Sequence, residues 1–211
     1  MASRLFTIVV VALWTIGIVN AQEKPKPTYD TILEQVKKSD PKADFLKLRM
    51  AFTETAQYSP YGEDTKTRDA MNEAMEQKEY EKAAELAQKI LKSKYVDLNA
   101  HLVAQRAYTE LKKDDQAKYH KYVYDGLLQS ILKSGDGKAT ASAYVVIATD
   151  EEYAVLAALG IRPNRQALLS EKGEKFDQMV GIESKSKERV ILYFNVSKPF
   201  TWLGEQLKKD K

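Results

Sequence analysis

The chain contains no cysteine, and this absence limits its chemistry more than any other feature of the composition. Disulfides, thiol nucleophiles, thiolate metal sites and the lipid-modified cysteine of a bacterial lipoprotein are all excluded. Histidine is nearly as scarce, since only His101 and His120 are present. They are separated by 19 positions, which is not the four-residue spacing that places two imidazoles on one helix face to hold zinc. We therefore expect no metal and no other cofactor.

An excess of charge of one sign is also missing from the chain. Lysine and arginine together number 33, aspartate and glutamate number 30, and the two signs are interleaved along the sequence. A mixed surface that is close to neutral gives no reason to expect nucleic acid or anionic lipid as a partner.

Long apolar runs are scarce as well, and the one that is present lies at the N-terminus. Arg4 precedes Leu5–Val19, a run of 15 residues that is followed by the small residues of a signal peptidase site, Val19-Asn20-Ala21. The run is shorter than the roughly 20 residues of a membrane-spanning helix, and an N-terminal membrane anchor is the alternative. We predict a signal peptide over residues 1–21, cleaved at its end, and a flexible leader over residues 22–28. The exported protein is then soluble, has no membrane span, and is periplasmic or secreted.

Residues 29–134 show helical patterns throughout. The pair Asp40-Pro41 predicts the start of a helix that ends near Glu54. In the stretch KEYEKAAELAQKIL, residues 78–91, apolar residues follow the spacing of one helix face. Its alanines allow a neighbouring helix to approach closely, as in tetratricopeptide hairpins. We predict a half made of helical hairpins that resembles part of a tetratricopeptide array.

The pattern changes after a glycine-containing junction over residues 135–142. Apolar and β-branched runs predict one buried strand, a short helix and three further strands joined by short turns, and a last helix follows. A small sheet with one short helix leaves one face uncovered, so the helical half is its natural cover. We predict an α+β fold, with the N-terminal hairpins packed on a mainly antiparallel four-stranded sheet within residues 143–211, as one compact unit. The predicted strands cover residues 143–149, 166–171, 175–184 and 188–197.

Three consecutive carboxylates, Asp150-Glu151-Glu152, follow the first predicted strand. Paired carboxylates divide the acid and base work of hydrolases. Carboxylates are equally suited to the first turn of a helix, where they meet the positive end of the helix dipole, and we expect Asp150 to cap a helix here. Since the sequence shows no Ser-His-Asp arrangement either, we assign no catalytic residue.

Tyrosine is the one enriched residue type, with 12 in the chain. Tyr58 and Tyr61 flank a proline in a predicted loop. Tyr119 and Tyr122 lie on one helix with Tyr124, where successive residues point about 100° apart and cannot all face the core. Exposed tyrosines frequently anchor interfaces, so we predict protein-binding roles for the first four. The alternative is that these rings fill the space between the helices and the sheet.

Two stretches resemble a known family. Residues 29–62 pair an Asp-Phe-x-x-Leu-Arg helix, Asp44 to Arg49, with a Tyr-x-Pro-Tyr loop, Tyr58 to Tyr61. Together with LYFNVSKPFTWL at residues 192–203, they resemble a bacterial family, the domain of unknown function numbered 4919. The resemblance implies an exported bacterial protein, and it carries over no catalytic or ligand-binding residue.

These observations favour a non-enzymatic, exported bacterial protein that acts as a binding or scaffold module. Its expected partner is another envelope protein or a peptide. One alternative is an envelope hydrolase that uses carboxylates. Another is a small-molecule binder with a pocket between the two halves.

Overall fold

The computed structural model describes residues 28–61 and 64–209. The predicted signal peptide and all of the predicted leader except Thr28 lie outside these residues. The described helices are α1 Tyr29–Lys37, α2 Phe45–Phe52, α3 Thr65–Glu76, α4 Tyr80–Ser93, α5 Leu98–Glu110, α6 Asp114–Leu132, α7 Thr149–Ala158 and α8 Ser197–Lys209. The described strands are β1 Tyr144–Val145, β2 Ile161–Glu171, β3 Glu174–Glu183 and β4 Arg189–Asn195.

The sheet has the strand order β1-β4-β3-β2. Strands β2, β3 and β4 form the predicted antiparallel meander, and β1 pairs with β4 in parallel. The α+β prediction with a mainly antiparallel four-stranded sheet is therefore confirmed. None of the described helices is both long and apolar enough to cross a membrane.

Three predicted boundaries are wrong for local reasons. The Asp40 side chain accepts a hydrogen bond from the Lys42 amide at 2.8 Å and so forms a turn. The helix begins only after Asp44, whose side chain accepts from the Lys47 amide at 2.9 Å. The first predicted strand is shortened to two residues, since only these two pair with β4 and α7 already begins at Thr149. Strand β2 begins five residues before its predicted start, because its pairing with β3 already extends there.

The buried apolar side chains of the described residues form two hydrophobic clusters. The smaller cluster lies among α3, α4 and α5, where alanines such as Ala83, Ala87 and Ala104 let the helix backbones approach closely. The larger one joins α1, α2 and α6 to α7 and the sheet, and Phe52, Leu127 and Phe194 lie within it. The sheet and the first helices therefore share one core.

A buried arginine connects three helices and one strand through its hydrogen bonds. Arg49 of α2 donates two hydrogen bonds to the Glu151 carboxylate of α7, at 2.9 and 2.5 Å. It also donates to the Val145 carbonyl oxygen at 2.9 Å and to the Ser130 hydroxyl at 3.3 Å. One side chain therefore contacts α6, α7 and β1 at once.

Candidate functional site

A groove with a volume of about 1340 Å³ opens on the helical half. Helices α1 and α2 provide one wall, and α4, the residues just after it and α6 provide the other. The groove belongs to the helical half alone and does not lie between the two halves. Small-molecule pockets usually measure about 300–1,000 Å³. The residues that line the groove include Leu33, Gln88, Lys92, Tyr95, Tyr119 and His120.

Several polar groups line this groove beside its apolar walls. The hydroxyl groups of Tyr95 and Tyr119 form a hydrogen bond with each other. Each hydroxyl carries one hydrogen, so one O–H of the pair stays free to donate to a ligand. The carbonyl oxygen of the Gln88 side chain has no partner among the described residues. The groove therefore offers both a donor and an acceptor to a ligand.

A chain of hydrogen bonds runs from the groove into the helical half. Gln88 Nε2 lies 2.8 Å from His120 Nε2, His120 Nδ1 lies 2.9 Å from His101 Nδ1, and His101 Nε2 lies 2.8 Å from the Tyr95 carbonyl oxygen. A carbonyl oxygen only accepts, so His101 Nε2 carries the hydrogen. His101 Nδ1 then accepts from His120 Nδ1, and His120 Nε2 accepts from the Gln88 amide. The Tyr95 carbonyl thus fixes the tautomer of both neutral imidazoles.

Burial keeps both histidines uncharged. It lowers the pKa of His101 to about 3, with the neighbouring His120 contributing, and lowers the pKa of His120 to about 4. The imidazoles therefore act as neutral hydrogen-bonding groups at pH 7. His120 is the member of the pair that also lines the groove.

Charged side chains of both signs surround the groove, and most of them already have partners. Lys37 pairs with Glu34, Lys47 with Asp44, and Glu54 with Lys198, all at 3.1 Å. Two further lining residues, Lys92 and Asp30, have no ion pair within the part of the chain that the structure describes. One charge of each sign is therefore available to a ligand.

The four tyrosines predicted to bind a protein lie in four different settings. Tyr58 is only 6% exposed and donates a hydrogen bond to the Ile147 carbonyl oxygen at 2.7 Å. It is therefore a core residue that links the loop to the second half, and its expected exposure is wrong. Tyr61 is 41% exposed and packs on Trp202. Tyr122 is half-buried and donates to the Asp40 carbonyl oxygen at 2.7 Å, whereas Tyr119 lines the groove.

The three consecutive carboxylates point to three different places. Asp150 lies 3.0 Å from Lys94, which directly follows α4, and 3.8 Å from Arg68 of α3. Glu151 pairs with Arg49 and also accepts from the Ile147 amide at 2.8 Å. The last bond resembles helix capping, because it serves an amide just before α7. All three residues lie in the predicted helix, whose N-cap is Ala148 and not Asp150.

Glu152 differs from the two residues before it, since its carboxylate is fully buried and no cation of the described residues lies beside it. Neither of its oxygens has a hydrogen-bond partner among the described residues when Glu152 and the neighbouring Asp177 are both ionised. Burial, followed by repulsion from Asp177, raises the pKa of Glu152 to about 8. Burial also raises the pKa of Asp177, which accepts from the Gln166 amide at 2.6 Å. At pH 7 the protonated Glu152 can donate its hydrogen to Asp177.

The described residues contain no cluster of three or more histidine, aspartate or glutamate side chains placed to share a metal ion. Besides the groove, the described residues contain two buried pairs of titratable side chains, His101–His120 and Glu152–Asp177.

The family model of DUF4919, a domain of unknown function, matches residues 20–203 of the chain. The chain belongs to this family. No curated protein and no solved structure matches it. The resemblance to tetratricopeptide hairpins gains no support from these comparisons and stays a prediction.

Sequence reasoning missed both titratable pairs of this DUF4919 member. The histidine pair had a signal: α5 and α6 form a hairpin about the turn at residues 111–113, so residues at similar distances from that turn face each other. His101 lies 10 residues before this turn and His120 lies 7 residues after it, a difference of less than one helical turn. The Glu152–Asp177 pair had no such signal, because it depends on how α7 packs against β3.

Proposed function

We propose that the protein is a non-enzymatic, exported binding protein whose groove holds an extended peptide segment of a partner in the bacterial envelope. The size of the groove carries the proposal. At about 1340 Å³ it exceeds the usual range for small-molecule pockets and fits several residues of a polypeptide.

The chemistry of the groove supports a peptide of mixed character. Its apolar walls, which include Leu33, suit apolar side chains. The free hydroxyl hydrogen of the Tyr95–Tyr119 pair and the free carbonyl oxygen of Gln88 suit a peptide backbone, which has both donors and acceptors. Lys92 and Asp30 favour a segment that carries charges of both signs over one that is purely acidic or purely basic.

The proposed location rests on the N-terminal sequence. Arg4, the apolar run Leu5–Val19 and the small residues up to Ala21 together have the build of a secretory signal peptide. The proposed partner is therefore another component of the bacterial envelope.

The test is a selection of peptides from a displayed random library, followed by binding measurements with variants. Leu33→Lys places a charge on the groove wall, and we expect it to weaken the selected peptides at least tenfold by fluorescence polarisation. Leu207→Lys is the matched control, because Leu207 is exposed on α8 and does not line the groove. Selected peptides that bind both variants as well as the unmodified protein would contradict the proposal, and so would a selection that yields no binder.

One observation favours a second candidate, the envelope hydrolase that uses carboxylates. Glu152 and Asp177 face each other with raised pKa values, which is the arrangement that acid–base work by two carboxyl groups requires. Both side chains are buried, so a substrate has no direct access to them. Glycosidic and ester substrates assayed with the protein and with Glu152→Gln test this alternative, which requires a turnover that the variant loses.

A further inference from the structure

Strand β2 is the long edge of the sheet. It contains 11 residues and pairs with β3 on one side only. No backbone hydrogen bond within the described part of the chain reaches its other side. Such an edge presents a row of free amide and carbonyl groups, which is a template for a further strand.

Only the first part of this edge carries features that prevent pairing. Pro163 lacks an amide hydrogen, and the register with β3 shifts between Pro163 and Arg165. From Arg165 to Glu171 the register is continuous and proline is absent. Leu168 lies at the middle of this second part and is 49% exposed.

The sequence of this open part is complementary to itself. When two copies pair in antiparallel orientation about Leu168, Arg165 of each copy lies opposite Glu171 of the other. Leu168 lies opposite its own copy. Moving the centre by one residue in either direction places Arg165 opposite Leu169 or Gly173 and loses both charge pairs.

The charges of the single copy also favour this arrangement. Arg165 has no ion pair among the described residues. Glu171 lies opposite Glu174 in the β2–β3 pairing, and like charges directly opposite are destabilising. Within the described residues, its side chain accepts one hydrogen bond, from the Thr140 hydroxyl at 2.6 Å. A cation from outside the copy would offset this repulsion.

We propose that two copies of the chain associate through β2, in antiparallel register centred on Leu168, to form a continuous eight-stranded sheet. The two-fold axis makes the contact isologous, so it closes after two copies and does not propagate into a fibre. Two Arg165–Glu171 pairs fix the register, and the exposed Leu168 side chains pack on each other. This surface is separate from the proposed peptide groove, so both can be occupied together.

Charge reversal tests the proposal by sedimentation equilibrium of the purified protein. The unmodified protein is expected to be a dimer, and Arg165→Glu and Glu171→Arg are each expected to shift it to monomer. The double variant restores both charge pairs in the opposite sense and is expected to restore the dimer. Arg189→Glu is the matched control, because Arg189 is exposed on β4 and lies away from the β2 edge. A monomeric unmodified protein, or a double variant no better than the single ones, would overturn the proposal.

Cysteine scanning then tests the register, because the chain has no thiol of its own. Leu168→Cys places two thiols directly opposite each other, and we expect a disulfide-linked dimer after mild oxidation. Ser170→Cys is the control, since the two thiols are then about 13 Å apart along the strands, which exceeds the reach of a disulfide. Equal cross-linking of the two variants would exclude this register.

Discussion

Glu151 and Glu152 are neighbours in the sequence and are both buried, yet the fold treats them in opposite ways. Glu151 lies against the guanidinium of Arg49 and accepts three hydrogen bonds. Glu152 faces Asp177 and no cation of the described residues, and its pKa is raised from the ordinary value of 4.5 to about 8. Burial alone therefore does not decide the charge of a carboxyl group, because the groups that face it do.

Removal of Arg49, the cation that pairs with Glu151, should have the largest effect on stability. Arg49→Met leaves Glu151 as an unpaired buried charge, and we expect it to lower the free energy of unfolding by about 3–5 kcal/mol in urea denaturation. Arg49→Met with Glu151→Met removes both charges and should recover much of the loss.

The control for this experiment is an exposed ion pair. Lys121→Met breaks the pair between Lys121 and Asp125 on the surface of α6, and it should cost less than about 1 kcal/mol. Equal losses for Arg49→Met and Lys121→Met would show that the buried arginine has no special role.

The histidine pair extends the comparison to bases. The pKa values of His101 and His120 are about 3 and about 4 in the fold, below the ordinary value of 6.5. Below pH 6.5 the unfolded chain therefore binds more protons than the native chain, so stability falls as the pH falls. The expected slope is up to about 2.7 kcal/mol per pH unit, twice the value for one group.

Urea denaturation between pH 7 and pH 5 measures this slope. His101→Gln with His120→Gln removes both titrations and should flatten it, whatever the variant costs at pH 7. An unchanged slope would mean that other groups cause the loss in acid.

A smaller effect, of opposite sign, should follow from Glu152→Gln. Glu152 keeps its proton in the fold up to pH about 8, whereas the unfolded chain loses it near pH 4.5. Over this range the unfolded state binds fewer protons, so the wild-type chain loses stability as the pH rises. The amide of the variant does not titrate and can still donate to Asp177. We expect a gain of at least about 1.4 kcal/mol at pH 8, equivalent to one pKa unit, and little gain below pH 4.5.

Asp150→Asn is the matched control, because it makes the same chemical change two residues earlier in the same helix. The Asp150 side chain is 37% exposed and lies beside Lys94 and Arg68, so the variant should lose less than about 1 kcal/mol and should not gain stability at pH 8. A destabilised Glu152→Gln variant at pH 8 would contradict the neutral state of Glu152.

Local patterns were sufficient to predict the fold class, the meander and the helical half, because hydrophobic periodicity reports directly which faces are buried. They failed where two signals compete over a few residues. Asp40-Pro41 and Asp44 both have the chemistry of a helix start, and only the packing of Phe45 and Leu48 in the core decides for the second.

The chemistry of the interior was less predictable than the fold. A run of three acids gives no indication of which one meets a cation, since Arg49 and Asp177 are distant in sequence and come from different layers. The predicted exposure of Tyr58 was wrong for a related reason. Tyr58 and Tyr61 are three residues apart, yet only Tyr58 reaches the core. Contacts across layers depend on the assembled structure, and periodicity does not encode them.

The single arginine that joins α2, α6, α7 and β1 also constrains how the gene can change. Its bonds to Glu151 connect positions that are 102 residues apart, and Ser130 and Val145 lie between them. A fragment that ends before Glu151 would leave Arg49 as a buried charge without a counterion. We therefore expect recombination and gene fusion to have kept residues 49–151 together in one gene. Tolerated insertions within this range should be confined to the surface turns.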